Sequence, residues 1–93
     1  MSIQEIIKQN ETVVLDVRTP QEYAGGNVAE SINIPLQELP ARAHELGKIN
    51  GNIVVCCASG GRSSMATQML QGQGFRNVYN GGGWMEVNYF KNN

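Results

Sequence analysis

Features that point to membrane, secreted or nucleic-acid-binding proteins are missing from this 93-residue sequence. No apolar run approaches the ~18–20 residues of a membrane-spanning helix, and the start of the chain lacks the continuous apolar stretch of a signal peptide. Seven Lys and Arg stand against eight Asp and Glu, and the basic residues are too scattered to neutralise a row of phosphates. We therefore expect a cytoplasmic protein that binds neither membranes nor nucleic acid.

Cysteine and histidine are also scarce. The cysteines are the adjacent pair Cys56 and Cys57, and the single histidine is His44. Because no other thiol is available to form a bridge, a disulfide scaffold is excluded, which fits a reducing compartment. These three side chains also cannot supply the four ligands of a structural zinc site. We expect no metal and no other cofactor.

The pattern of apolar residues is typical of a single α/β domain over residues 1–93. Continuous or short β-branched runs predict strands at residues 12–17, 31–34, 52–57 and 77–79. Helical spacing predicts helices near residues 3–7, 20–23, 36–46 and 65–70. Pro40 is expected to kink the third helix, and Met65 and Met69 are expected in the core. Strands that alternate with helices indicate a largely parallel sheet.

Parallel sheets bind ligands in the loops that follow the carboxyl ends of their strands. Here those loops are residues 16–19 and 57–63. In the second loop, Gly60 and Gly61 permit positive φ angles that turn backbone N–H groups inward. The next helix points its N-terminus at the same spot, and we expect Ser63 or Ser64 to cap it.

This environment favours a thiolate on Cys57, whose pKa we expect to lie well below its usual ~8.5. The alternative is that Cys57 is only a small buried hydrophobic residue. Since side chains alternate along a strand, Cys56 is expected to face away from Cys57 and into the core. A resolving thiol or a vicinal disulfide is the other possibility for Cys56.

Residues 57–63 read Cys-Ala-Ser-Gly-Gly-Arg-Ser, and in this the sequence resembles the rhodanese family, whose signature is Cys-x-x-Gly-x-Arg-Ser. Three further segments resemble boxes of that family in the same order: residues 15–23, 31–36 and 74–84. The resemblance implies a three-layer α/β/α fold with a mostly parallel central sheet of about five strands. The chain departs from the family pattern at Gly26-Asn27, at Ala29-Glu30 and at Trp84, which directly follows Gly83.

The resemblance implies a sulfurtransferase in which Cys57 takes sulfur from thiosulfate or a persulfide, forms a persulfide itself and passes the sulfur to cyanide or a thiol, a protein thiol included. The other implied site residues are Ala58, Ser59, Gly60, Gly61, Arg62, Ser63 and Arg18. Arg62 either meets the oxygens of the donor or braces the loop by pairing with a carboxylate. Arg18 either lies near the mouth of the pocket or pairs with Glu22, and Asp16 is expected to accept backbone hydrogen bonds there.

Three other functions are weighed against this one. A persulfide carrier, or a regulatory binding module, would share the loop but turn over little thiosulfate. A Cys-dependent phosphatase or arsenate reductase is less consistent with the loop, because four residues separate Cys57 from Arg62 where those phosphatases place five. A Cys–His hydrolase needs a base beside the thiol, and His44 is predicted on the solvent side of its helix.

Overall fold

The two strongest apolar runs form the centre of the sheet in the computed structural model, which describes residues 1–93. The strands are β1 (Val13–Asp16), β2 (Ile32–Asn33), β3 (Ile53–Cys57) and β4 (Val78–Gly83). Their order across the sheet is β2-β1-β3-β4, and every neighbouring pair is parallel. The expected α/β fold is confirmed, but the sheet has four strands rather than about five. Because all strands are parallel, their carboxyl ends share one edge of the sheet.

Five helices cover the sheet. They are α1 (Ile3–Ile7), α2 (Pro20–Ala24), α3 (Leu39–Arg42), α4 (Gly61–Gly72) and α5 (Trp84–Lys91). On one face of β3, Val55 and Cys57 pack into a core shared with α3 and α4. On the other face, Val54 and Cys56 pack into a second core shared with α1 and α5. The helices on the two sides and the sheet between them form the three layers that were expected. Two separate cores result because side chains along β3 alternate between the two faces of the sheet.

The first two helices begin where local chemistry predicts. Ser2 and Glu5 form a reciprocal capping box at the start of α1, and Thr19 and Glu22 form another at the start of α2. Each box satisfies backbone N–H groups that a helix start would leave unpaired. Pro20 occupies the first turn of α2, where a missing N–H costs nothing. The helix predicted near residues 20–23 is thereby confirmed.

Two predicted elements differ from the structure, and one helix was not predicted. The helix expected over residues 36–46 is divided into a 3₁₀ turn at Leu36–Glu38, then α3, then a 3₁₀ turn at Ala43–Leu46. Pro40 lies in the first turn of α3 and does not kink a longer helix. β4 runs past the predicted residue 79, through a run of glycines. The sequence analysis also missed α5, although its buried residue Val87 stands three residues from Trp84.

Met65 is the clearest error among the predicted core residues. Its side chain is 61% exposed, whereas Met69 is half-buried and packs against the core as predicted. Met65 belongs to the first turns of α4, next to the exposed loop at the edge of the sheet, so no neighbouring layer covers it. None of the five helices has the length and apolar character needed to span a membrane.

Candidate functional site

The candidate site lies where β3 ends and α4 begins. Cys57 is the last residue of β3, and its side chain is only 1% exposed. Ala58 and Ser59 follow it on the surface, and Gly60 is half-buried. The loop is therefore short and recessed, with the thiol at its base and small uncharged side chains at its mouth.

Three polar groups converge on the sulfur of Cys57. The backbone N–H of Gly60 donates to Sγ at 3.0 Å, and that of Ser63 donates at 3.3 Å. The hydroxyl oxygen of Ser63 lies 3.5 Å from Sγ and accepts from the thiol in its protonated form. Because two fixed N–H groups already point at the sulfur, the loop is preorganised to hold a negative charge on it.

Burial alone raises the pKa of the Cys57 thiol, but hydrogen bonds from the Ser63 side chain and from backbone N–H groups of Ser63, Gly60 and Ser59 outweigh burial and lower it. The predicted direction of the shift is confirmed. Cys56 has the opposite environment, because its burial and the nearby Asp16 carboxylate raise its pKa to about 12. Only Cys57 of the two is thus suited to react as a thiolate.

Gly60 supplies the turn that the loop needs. Its φ is +107°, a conformation that residues with a Cβ atom rarely adopt, and this turn aims its N–H at Sγ. Gly61 does not share this role: it is the first residue of α4 and is absent from the positive-φ positions. The expected serine cap is also wrong, because α4 begins after Gly60 with no side-chain cap. Ser63 turns inward to the sulfur instead.

Asn80 is a contact that sequence reasoning missed. While Cys57 is a thiol, the Ser63 hydroxyl donates to Asn80 Oδ1 at 2.7 Å or to the Gly60 carbonyl oxygen at 3.0 Å. Once the thiol has lost its proton, the same hydroxyl can turn and donate to Sγ, which lies 3.5 Å away. Asn80 is held in turn by the backbone N–H of Gly82 at 3.0 Å. The contact between Ser63 and Asn80 joins β4 to the Cys57 loop and orients the Ser63 hydroxyl. A lone Asn among glycines carries no local signal of such a role.

Arg62 pairs with a carboxylate on another element. Its Nη1 and Nη2 donate to Glu22 Oε1 and Oε2 at 2.7 and 3.0 Å, which is a two-pronged geometry. The Arg62 guanidinium, with help from Thr19, lowers the pKa of Glu22 to about 2. Glu22 therefore both caps α2 and ties that helix to the Cys57 loop.

Arg18 is buried rather than free at the mouth of the pocket. Its Nε and Nη2 donate to Asp16 at 3.0 and 2.7 Å, and Nη2 also donates to the Gly26 carbonyl oxygen at 2.7 Å. Its guanidinium lies 4.7 Å from the ring centroid of Trp84, a distance typical of cation–π contact. The Arg18–Glu22 ion pair is not formed, since Arg18 reaches only the backbone oxygen of Glu22. Asp16 accepts the backbone N–H of Arg18 at 3.0 Å, as expected.

His44 is exposed on the 3₁₀ turn after α3. No hydrogen bond joins it to Cys57, and it is not among the groups that shift the pKa of that thiol. The structure thus offers no histidine base beside the thiol, and the hydrolase interpretation has no catalytic pair.

Comparison with known proteins identifies the family of the chain. The rhodanese-like domain family matches residues 2–88. A protein of Bacillus subtilis named "Putative sulfur carrier protein YrkF" is 42% identical over 67 residues, which cover 72% of this chain and 36% of that protein. Thiosulfate sulfurtransferase PspE of Escherichia coli is 35% identical over 74 residues, 78% of this chain and 71% of that protein.

A solved structure agrees in fold. The rhodanese-related protein of Thermoplasma volcanium superimposes with a TM-score of 0.75 at 35% identity, covering 85% of this chain and 77% of that one. The chain spans little more than a third of the length of YrkF and 71% of the length of PspE. The protein described here belongs to the rhodanese-like domain family.

Proposed function

We propose that this chain is a sulfurtransferase that carries sulfane sulfur as a persulfide on Cys57. The observation that supports this most directly is the convergence of the Gly60 and Ser63 N–H groups on Sγ at 3.0 and 3.3 Å. These donors stabilise a thiolate for the attack. They also suit the persulfide that follows, because its terminal sulfur is anionic as well.

The first half-reaction loads the enzyme. The Cys57 thiolate attacks the outer sulfur of a donor such as thiosulfate, forms a sulfur–sulfur bond, and releases sulfite with the electrons of the broken bond. In the second half-reaction an acceptor attacks the outer sulfur of the persulfide. Cyanide leaves as thiocyanate, or a thiol leaves as a persulfide, and the Cys57 thiolate is restored. No general base is required where the thiol is already ionised.

Arg62 and Arg18 act in this proposal as positioning residues. Arg62 joins the loop to α2 through Glu22, and Arg18 joins Asp16 at the end of β1 to the loop at Gly26. Both arginines hold the edge of the sheet around the thiol. Ala58, Ser59 and Gly61 are the exposed residues of the mouth through which donor and acceptor enter.

Steady-state kinetics test the proposal. Thiocyanate formation is measured with cyanide as acceptor and with thiosulfate or glutathione persulfide as donor. For each donor, the donor concentration is varied at several fixed concentrations of cyanide. We expect parallel double-reciprocal lines, which indicate two separate half-reactions, and complete loss of turnover in Cys57→Ser. Cys56→Ala is the matched control and should remain active.

Two outcomes would overturn the proposal. One is turnover that survives in Cys57→Ser. The other is failure of every donor to react with Cys57 in a folded protein, which would leave the domain as a binding module.

A further inference from the structure

Asn80 on β4 contacts the Cys57 loop through its side chain. Its Oδ1 lies 2.7 Å from the Ser63 hydroxyl oxygen and accepts the backbone N–H of Gly82 at 3.0 Å. The second contact fixes which way the amide faces, because an amide NH₂ cannot accept a hydrogen bond from an N–H group. Ser63 therefore meets an oxygen that only accepts, and the hydrogen between the two side chains belongs to the Ser63 hydroxyl.

The Ser63 hydroxyl has one hydrogen and several acceptors within reach. Besides Asn80 Oδ1, the Gly60 carbonyl oxygen lies 3.0 Å away and Cys57 Sγ lies 3.5 Å away. The Gly60 oxygen already accepts the backbone N–H of Ser64 at 3.0 Å. Since uncharged sulfur is a weak acceptor, the nearest oxygen, Asn80 Oδ1, is the preferred partner while Cys57 is a thiol.

Negative charge on Sγ reverses this preference. Hydrogen bonds to an ionised group are roughly twice as strong as those between neutral groups, so the thiolate attracts the Ser63 hydroxyl. The hydroxyl gains its hydrogen bond to Sγ only by giving up the one to Asn80. Ionisation of Cys57 is therefore opposed by the loss of a short hydrogen bond on the neighbouring strand.

Other titratable groups surround Cys57 but do not enter this exchange. Three ion pairs stand on the surrounding elements: Asp16–Arg18, Glu22–Arg62 and Arg42–Glu45. Unpaired titratable side chains also stand there: Cys56, Tyr79, His44, Glu86, Tyr89 and Lys91. None of these groups is a hydrogen-bond partner of the Ser63 hydroxyl or of Asn80 Oδ1. The competition between Sγ and Asn80 is thus a separate influence on the thiol.

We propose that Asn80 is a positioning residue that competes with Cys57 Sγ for the hydrogen of the Ser63 hydroxyl and thereby limits the fraction of Cys57 held as thiolate. The hydroxyl keeps its proton throughout and changes only its direction. On the sulfurtransferase function proposed above, it points at Asn80 again in the persulfide, where the negative charge has moved to the outer sulfur. When cyanide takes that sulfur, the electrons of the sulfur–sulfur bond return to Sγ and the hydroxyl turns back to it.

Two substitutions of Asn80 act in opposite directions. Asn80→Leu removes the acceptor but fills its space against water, so the hydroxyl is released to Sγ. Asn80→Asp introduces a carboxylate that holds the hydroxyl more strongly and repels the thiolate. Asn88→Asp is the matched control, because it adds the same charge on α5 and keeps the oxygen that accepts from Asn92 Nδ2 at 3.2 Å. Urea denaturation establishes that each variant is folded.

The measured quantity is the acid dissociation constant of the Cys57 thiol, taken from the pH profile of its alkylation by iodoacetamide. We expect this constant to rise about threefold in Asn80→Leu, because the Gly60 carbonyl still competes, and to fall about tenfold in Asn80→Asp. Asn88→Asp should leave it unchanged. In a Ser63→Ala background, Asn80→Leu should have no effect, and the effect of Asn80→Asp should shrink to about threefold, since only the added charge remains.

Two results would overturn the proposal. One is a dissociation constant that falls in Asn80→Leu, which would mean that Asn80 only holds Ser63 in place. The other is an effect of Asn80→Asp that is equal with and without the Ser63 hydroxyl, because charge alone would then act. This second comparison decides the matter if Asn80→Leu does not fold.

Alkylation uses no sulfur donor, so the test is independent of the sulfurtransferase function. If the profiles shift as expected but no donor loads the folded native chain, the sulfurtransferase proposal fails and the role of Asn80 stands. If Cys57 loads normally but the profiles do not shift, only the role of Asn80 is overturned.

Discussion

Cys56 and Cys57 are neighbours in the chain but pack into opposite hydrophobic cores. Both side chains are almost fully buried, but Cys57 Sγ accepts backbone hydrogen bonds from the loop that follows, whereas Cys56 Sγ accepts none. Because side chains alternate between the two faces along β3, the reactive thiol and the inert one lie on opposite sides of the sheet. No vicinal disulfide is formed, and both cysteines are free.

This separation predicts selective alkylation. At neutral pH, iodoacetamide should modify Cys57 and leave Cys56 untouched in the folded protein, because burial raises the Cys56 pKa to about 12 while the loop lowers that of Cys57. Peptide mass mapping after a timed reaction measures both sites in one sample. Modification of Cys56 at a comparable rate before unfolding would contradict the assignment.

Ser63→Ala tests the hydrogen bonds to the sulfur. The variant loses the hydroxyl that lies 3.5 Å from Sγ but keeps the backbone N–H. A hydrogen bond to a charged group contributes ~1.5–3 kcal/mol, so we expect thiolate reactivity at neutral pH to fall by about tenfold. Since the loop holds the Cys57 pKa below its usual value, losing this donor should move the alkylation profile to higher pH. Ser64→Ala is the control and should leave the profile in place.

The two glycines of the loop should respond differently to alanine. Gly60 has a φ of +107°, so Gly60→Ala imposes strain of ~1–3 kcal/mol or displaces the N–H that points at Sγ. Gly61 has open space around its Cα, and Gly61→Ala should be neutral or stabilising, because Ala favours helix more than Gly. Urea denaturation compares the free energies of unfolding. Equal losses in both variants would argue against the turn at Gly60.

Asp16→Asn should be among the most damaging single changes at this edge of the sheet. Asp16 and Arg18 have side-chain exposures of 0% and 5%, so the variant leaves a buried guanidinium without its counter-charge. We expect the free energy of unfolding to fall by ~3–5 kcal/mol. The control Glu45→Gln removes a carboxylate from an exposed pair with Arg42 and should change the stability little.

Much of the fold was predictable because its signals are local. The apolar runs of β1 and β3, the proline start of α2 and the position of Cys57 each depend on residues within one short segment. The Glu22–Arg62 pair was not predictable, since its members are separated by 40 positions and each is an ordinary surface residue in its own segment. Their contact depends on how the ends of β1 and β3 meet.

β4 illustrates a second limit. Glycines are unusual inside strands, and the predicted strand stops at residue 79, whereas β4 continues through three of them to Gly83. In the structure, a methyl group on Gly81 would lie 2.5 Å from Val54 Cγ1 and 2.9 Å from Val87 Cγ2. The absence of a side chain therefore permits close packing of β4 between β3 and α5, which only the assembled core reveals.

The central claim is that Cys57 holds the transferred sulfur, and intact mass spectrometry tests it most directly. Glutathione persulfide is incubated with each of three proteins: the native chain, Cys56→Ala and Cys57→Ser. After excess donor is removed, the intact mass of each protein is measured before and after addition of cyanide. The account predicts a gain of about 32 Da in the first two proteins, mapped to the peptide containing Cys57 and removed by cyanide. The same gain in Cys57→Ser, or its absence from a folded native chain whose thiol is free, would contradict the account.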